Sequence, residues 1–125
     1  MNQPQGGLSA VREAPAIDGE AAFVAVSSGL FRLEASLTFA TVPALHRPGL
    51  ERIDAAASGL QFDLHQVGVI DSAGLALLVD WLAEARARQR VLRYVQTPEA
   101  LLALARLSDV EALLAGASST PERQR

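Results

Sequence analysis

The chain contains no cysteine and no lysine. The first absence excludes disulfides, thiolate nucleophiles and cysteine-ligated zinc. The second excludes the phosphate-gripping lysine of a P-loop, Schiff-base chemistry and Ser-Lys catalysis. All eleven basic residues are therefore arginine. Aromatics are scarce at 5%, so a core has to be assembled mainly from Leu, Val and Ala. No apolar run approaches the roughly 20 residues that span a bilayer, so no direct membrane span is expected. A net charge of −3 argues against nucleic acid as the main partner.

What is present describes one small globular domain. Half of the 125 residues are hydrophobic and a fifth are charged, a balance that buries a core. Residues 1–20 are rich in Gly, Pro and Gln and lack a basic start followed by an apolar stretch. They read as a flexible leader and not as a signal peptide. The domain is expected over residues 21–116, with a polar tail at 117–125.

Hydrophobic periodicity supplies the elements. Residues 23–26 form a short apolar run, and Ser27-Ser28-Gly29 reads as a turn. Phe31, Leu33, Ala35, Leu37 and Phe39 then alternate with polar residues, the period of a half-buried strand. Thr41 is the expected cap of a helix to about Ala57, with a kink or restart at Pro48-Gly49. Leu60, Phe62 and Leu64 alternate as a third strand. A helix follows from Ser72 to about Gln89, and residues 91–95 give a fourth strand. Thr97-Pro98-Glu99 predicts a helix start with the threonine as N-cap. Ser108-Asp109-Val110-Glu111 fits a capping box for a last helix, stopped by Gly116. The expected fold is α/β, a single domain with a mixed four- to five-stranded sheet and helices packed on it. Its order is β-β-α-β-α-β-α-α.

The most informative stretch is Asp71-Ser72-Ala73-Gly74, where a short apolar segment meets a helix. Unpaired N–H groups and the helix dipole favour acceptors and anions there. A hydroxyl so placed can simply cap the helix, touch a partner or be phosphorylated. Glycine is missing where a nucleophile elbow needs it, because Ile70 stands there. His46 and His65 sit in polar phases of their segments and read as solvated. Neither catalysis, a metal nor any cofactor is expected.

The helix after Ser72 has two apolar stripes. Leu75, Leu78, Val79 and Leu82 share one, expected to face the core. Gly74, Leu77 and Trp81 fall on another. Trp81 there is either a core-margin residue or part of an apolar docking patch, and the patch is the favoured reading because it starts at the Ser72 end. The expected partner-binding set is Asp71, Ser72, Ala73, Gly74, Leu77 and Trp81. Such a patch also predicts weak homodimers. Arg86, Arg88, Arg90 and Arg93 form a basic cluster, either a solvated helix end or a contact to acidic protein or lipid headgroups.

This element order, with Asp-Ser-x-Gly opening the second long helix, resembles the STAS domain family over residues 21–116. In its anti-sigma-factor antagonists the serine matching Ser72 is phosphorylated by a partner kinase, which breaks the complex. The helix from Gly74 to Gln89 and the strand ending Phe62-Asp63-Leu64 are most similar to the MlaB-like branch. Those are the STAS subunits of phospholipid ABC transport complexes that act in outer-membrane lipid asymmetry. That resemblance implies a non-enzymatic cytoplasmic subunit peripheral to the inner membrane. It implies that the subunit binds the transporter ATPase and, through it, the permease. A regulatory reading, with Ser72 as a phosphorylation switch, is the alternative. Ala73 departs from the many phosphorylated antagonists that carry a second hydroxyl there.

Overall fold

The computed structural model describes residues 17–57 and 59–118. Strands β1 (Phe23–Ser27) and β2 (Leu30–Leu33) form an antiparallel hairpin. Helix α1 (Val42–Ala55) leads to β3 (Gly59–Asp63), and α2 (Ser72–Ala87) leads to β4 (Val91–Val95). Helices α3 (Glu99–Leu107) and α4 (Glu111–Ser118) close the chain. The sheet order is β1-β2-β3-β4, with β2, β3 and β4 mutually parallel. The α/β class and the element order are those expected from the sequence.

Register places Phe31 beside Phe62 and Phe62 beside Tyr94, giving a row across the sheet. Phe23 and Trp81 meet Phe62 edge-on, with centroids 5.3 and 5.5 Å away. Of the few aromatics, only Phe39 lies outside this cluster. Arg52 stacks its guanidinium over Phe23 and Phe31 while pairing with Glu20 at 2.8 Å. The Tyr94 hydroxyl donates to the Leu78 carbonyl at 2.6 Å, tying sheet to helix. Burial pushes that phenol well above its ordinary pKa, so it remains a donor.

Several local expectations are corrected. The β2 strand stops at Leu33, and Leu37 makes only an isolated parallel bridge to Ile70. The alternation breaks there, so Leu37 is buried while Phe39 is 81% exposed. Thr41 does not cap α1 with its side chain. Its hydroxyl instead accepts from Thr38 N and donates to the Ser36 carbonyl, stitching the β2–α1 loop. Helix α1 runs unbroken through Pro48. The proline leaves the Ala44 carbonyl without its helical donor. Gly19 packs onto that carbonyl so closely that a Cβ would approach within 3.0 Å.

Gly19 belongs to the segment expected to be a flexible leader. Its described part, residues 17–20, is instead tied to the fold through the Asp18 turn and the Glu20–Arg52 pair. Residues 1–16 and 119–125, assigned to leader and tail, lie outside the described residues.

Helix α2 ends two residues early in a Schellman motif, with Gln89 at φ 58°. The N–H groups of Gln89 and Arg90 reach back to the Arg86 and Ala85 carbonyls. Pro98, not Thr97, is the N-cap residue of α3. The expected capping box also fails. Ser108 ends α3, and the Glu111 carboxylate is taken by Arg106 at 3.2 Å. Helix α4 runs through Gly116 to Ser118.

Candidate functional site

The Asp71-Ser72-Ala73-Gly74 turn is built from two structural residues and one unoccupied hydroxyl. Asp71 is the N-cap of α2, accepting from Gly74 N at 3.1 Å. Its other oxygen accepts from Phe39 N at 3.0 Å, so one carboxylate caps a helix and anchors the neighbouring loop. Gly74 lets α2 press against that loop. A Cβ there would meet the Leu37 carbonyl within 3.0 Å. Ser72 is exposed, and its hydroxyl makes no hydrogen bond among the described residues. Ala73 is half-buried beside it.

The Phe39 N–H, followed by that of Gly74, holds the Asp71 carboxyl below its ordinary pKa. The folded-state pKa therefore lies below the unfolded one. Its stabilisation is present above the ordinary carboxylate range and is lost as pH falls through the lowered value. Asp71→Asn keeps an acceptor but removes this titration. Its acid unfolding curve is expected to be flatter than wild type below about pH 4, as followed by circular dichroism. Identical acid limbs would show that Asp71 carries no such linkage.

Leu77 and Trp81 do not form the expected docking patch. They are 3% and 0% exposed, and Gly74 is buried too. Their stripe faces α1 of the same chain. Trp81 lies against Gly49 and donates its indole N–H to the His46 carbonyl at 3.3 Å. Helix α2 is buried on two stripes, with Leu75 and Leu78 also in the core. An exposed Leu77/Trp81 patch as the basis for homodimers is corrected with it. Val79 and Leu82, expected to face the core, are only half-buried.

The apolar surface near Ser72 lies elsewhere. A groove of about 510 Å³ runs along the exposed side of α2. Leu75, Ala76, Val79 and Ala83 form one wall and Val110 the other. Ser72 stands at one end, and Asp80 and Ser108 supply the polar rim. The loop anchored on Asp71 through the Phe39 N–H leaves the Phe39 side chain exposed. Val69, three residues before Ser72, is 67% exposed. The sequence reading missed this surface. Phe39 was hidden inside an alternation that the chain abandons after Leu33.

The histidines have partners of their own. His46 Nε2 meets Asp80 at 3.2 Å, and His65 Nε2 meets the Gln66 amide at 3.1 Å. Among the described residues no His, Asp or Glu cluster could hold a metal. No helix there is long and apolar enough to cross a membrane.

The arginine cluster divides. Arg90 donates to the Ile53 and Asp54 carbonyls, closing the C-terminus of α1. Arg88 pairs with Glu84 and with Asp54. These two join helix ends within the fold, and Arg86 remains exposed.

A family model described as "Mlab, STAS domain" matches residues 24–115. No curated protein matches the chain.

Proposed function

The chain belongs to the MlaB-like STAS domain family, and we propose that it is a non-enzymatic subunit of a phospholipid ABC transporter. In this reading it docks the transporter's ATPase through the Ser72 end of α2. Through that ATPase it reaches the permease at the cytoplasmic face of the inner membrane, in a system that maintains outer-membrane lipid asymmetry. The observation that carries the reading is a division of labour in the motif. Asp71 and Gly74 are spent on the fold, whereas the Ser72 hydroxyl is exposed and, among the described residues, unpaired. It lines an apolar groove, and the N-cap Asp71 beside it also holds the loop of the exposed Phe39, the kind of surface that buries well against a protein. The non-enzymatic reading rests on chemistry. Among the described residues the Ser72 hydroxyl has no base against it, and both histidines are engaged elsewhere.

The test is affinity capture from native membranes with tagged wild type, Ser72→Ala and Ser72→Glu. Ser72 is exposed at the first position of α2. A carboxylate there suits the helix dipole, so the fold survives. Wild type and Ser72→Ala are expected to bring down an ABC ATPase with its permease, and Ser72→Glu to lose both. Retention in Ser72→Glu would sink the assignment of the interface. The exposed hydroxyl is also open to a kinase, the feature that favours a partner-switching regulator. A phosphate adds about −1.5 to −2 charges beside Asp71. Capture of a soluble kinase-like anti-sigma factor, with a phosphorylated Ser72 in the intact mass, would move the protein to that role.

A further inference from the structure

The groove beside Ser72 has a definite length, floor and charge. From Ser72 to Ala83 it follows eleven residues of α2, about 16 Å or three helical turns. Ala76 and Ala83 are small, so a partner backbone can come close there, as in packed helices. The flank of α2 has its N–H and C=O groups bonded within the helix. An extended segment laid there would leave its own backbone groups unpaired, whereas a helix satisfies them internally. The rim is acidic. Asp80 lines the groove with its Oδ2 on His46 Nε2 at 3.2 Å, and Asp109 lies exposed between the lining residues Ser108 and Val110. Near that wall, Arg106 is shared between Glu99 and Glu111 and leaves no excess positive charge. An anionic lipid headgroup would be repelled by this rim.

We infer that this groove receives an amphipathic helix of about three turns from a partner protein. Its apolar face lies on Ala76, Val79, Ala83 and Val110, and its Lys or Arg side chains face Asp80 and Asp109. This rests on the reading of the Ser72 end as the docking face, and it adds the partner's local structure and charge. The basic flank steers encounter and fixes orientation, while the apolar face holds the complex.

The experiment places a photo-crosslinking p-benzoylphenylalanine at Ala83 of the full chain, in cells, with the adduct mapped by peptide mass. Ala83 is exposed and eleven residues from Ser72, so it samples the far end of the groove. The expected adduct is a segment with apolar residues at i, i+3/i+4 and i+7 and at least two basic residues. An adduct with a second copy of this chain, with lipid, with an acidic or non-helical segment, or no adduct at all would overturn the inference. As a second reading, Asp80→Arg is expected to weaken the captured complex about tenfold and to flatten its salt dependence. Unchanged affinity and salt dependence in Asp80→Arg/Asp109→Arg would likewise overturn it. The two readings fail separately. A basic helix from a protein other than an ATPase keeps the groove and removes the transporter. An ATPase lost in Ser72→Glu but never crosslinked at Ala83 keeps the transporter and removes the groove.

Discussion

Trp81→Ala is expected to cost about 3–5 kcal/mol of folding stability, the range for emptying a buried aromatic site. Trp81 is 0% exposed, with Phe62 at 5.5 Å, Phe23 at 5.8 Å and Gly49 against its indole. Losing it opens a hole where two helices and the sheet meet, and the neighbours are already locked by one another. For a domain of this size such a loss lowers Tm by well over 10 °C. Gly49→Ala is the informative companion. Helix propensity alone predicts a gain approaching 1 kcal/mol in the middle of a helix. The added methyl would instead lie within 3.0 Å of the Trp81 ring. Overpacking of that kind costs about 1–3 kcal/mol, so the sign is expected to reverse. In the Trp81→Ala background the clash is gone, and Gly49→Ala is expected to stabilise. Urea denaturation of the four proteins measures this coupling. Additive effects would show that Gly49 and Trp81 do not share one packed contact.

The same pair explains what was legible in the sequence and what was not. The order of elements could be read because each strand has its own apolar phase and each helix its own start. Leu60, Phe62 and Leu64 are all buried, as their alternation predicts. The period of α2 marks a helix, and its strongest stripe, Leu75, Leu78, Val79 and Leu82, predicts burial on one face. Its second stripe carried a real signal, since a solvated face has no need of Leu77 and Trp81. That stripe fits a docking patch as well as a buried face, and in the fold its partner is α1. Only the tertiary packing shows that Gly49 makes room for an indole. A single sequence gives the amphipathic period of a helix but not how many neighbours it will have.

The local stops were hard for a different reason. Capping signatures name residues that can hydrogen-bond, and each has competing partners. Thr41 bonds within its loop, and Glu111 bonds Arg106. The β2 alternation continues in the sequence to Phe39, but β2 pairs with β3 only as far as Arg32 and with β1 only as far as Leu33. The Ser72 site itself was legible at the helix junction, since Asp71 and Ser72 stand there in any α/β arrangement. Its surroundings are not legible, because the Phe39 loop and the groove residue Val110 come to α2 from distant positions in the chain.

Gly74→Ala is expected to be the most damaging single-methyl change at the site itself. The methyl would come within 3.0 Å of the Leu37 carbonyl oxygen. That carbonyl cannot step aside. It accepts from Asp71 N at 3.0 Å, and Leu37 N donates to the Val69 carbonyl at 2.8 Å. The Leu37 side chain is fully buried as well. With backbone on both sides, the strain falls at the upper end of the overpacking range, about 3 kcal/mol, and exceeds the gain in helix propensity. Relief requires α2 and the β2–α1 loop to move apart, and the bond between Phe39 N and Asp71 is what resists that movement. Gly74→Ala is therefore expected to speed amide exchange at Phe39 and to lower partner capture together, although no exposed atom of the proposed docking face has changed. Ala73→Gly, which loosens the same turn without adding a methyl, is the control. It is expected to lose only about 1 kcal/mol of helix propensity and to keep the Phe39 amide protected. Equal exchange at Phe39 in wild type and Gly74→Ala would mean that the loop is held by something other than this contact. The Asp-Ser-x-Gly turn would then owe its glycine to a cause other than the placement of the docking loop.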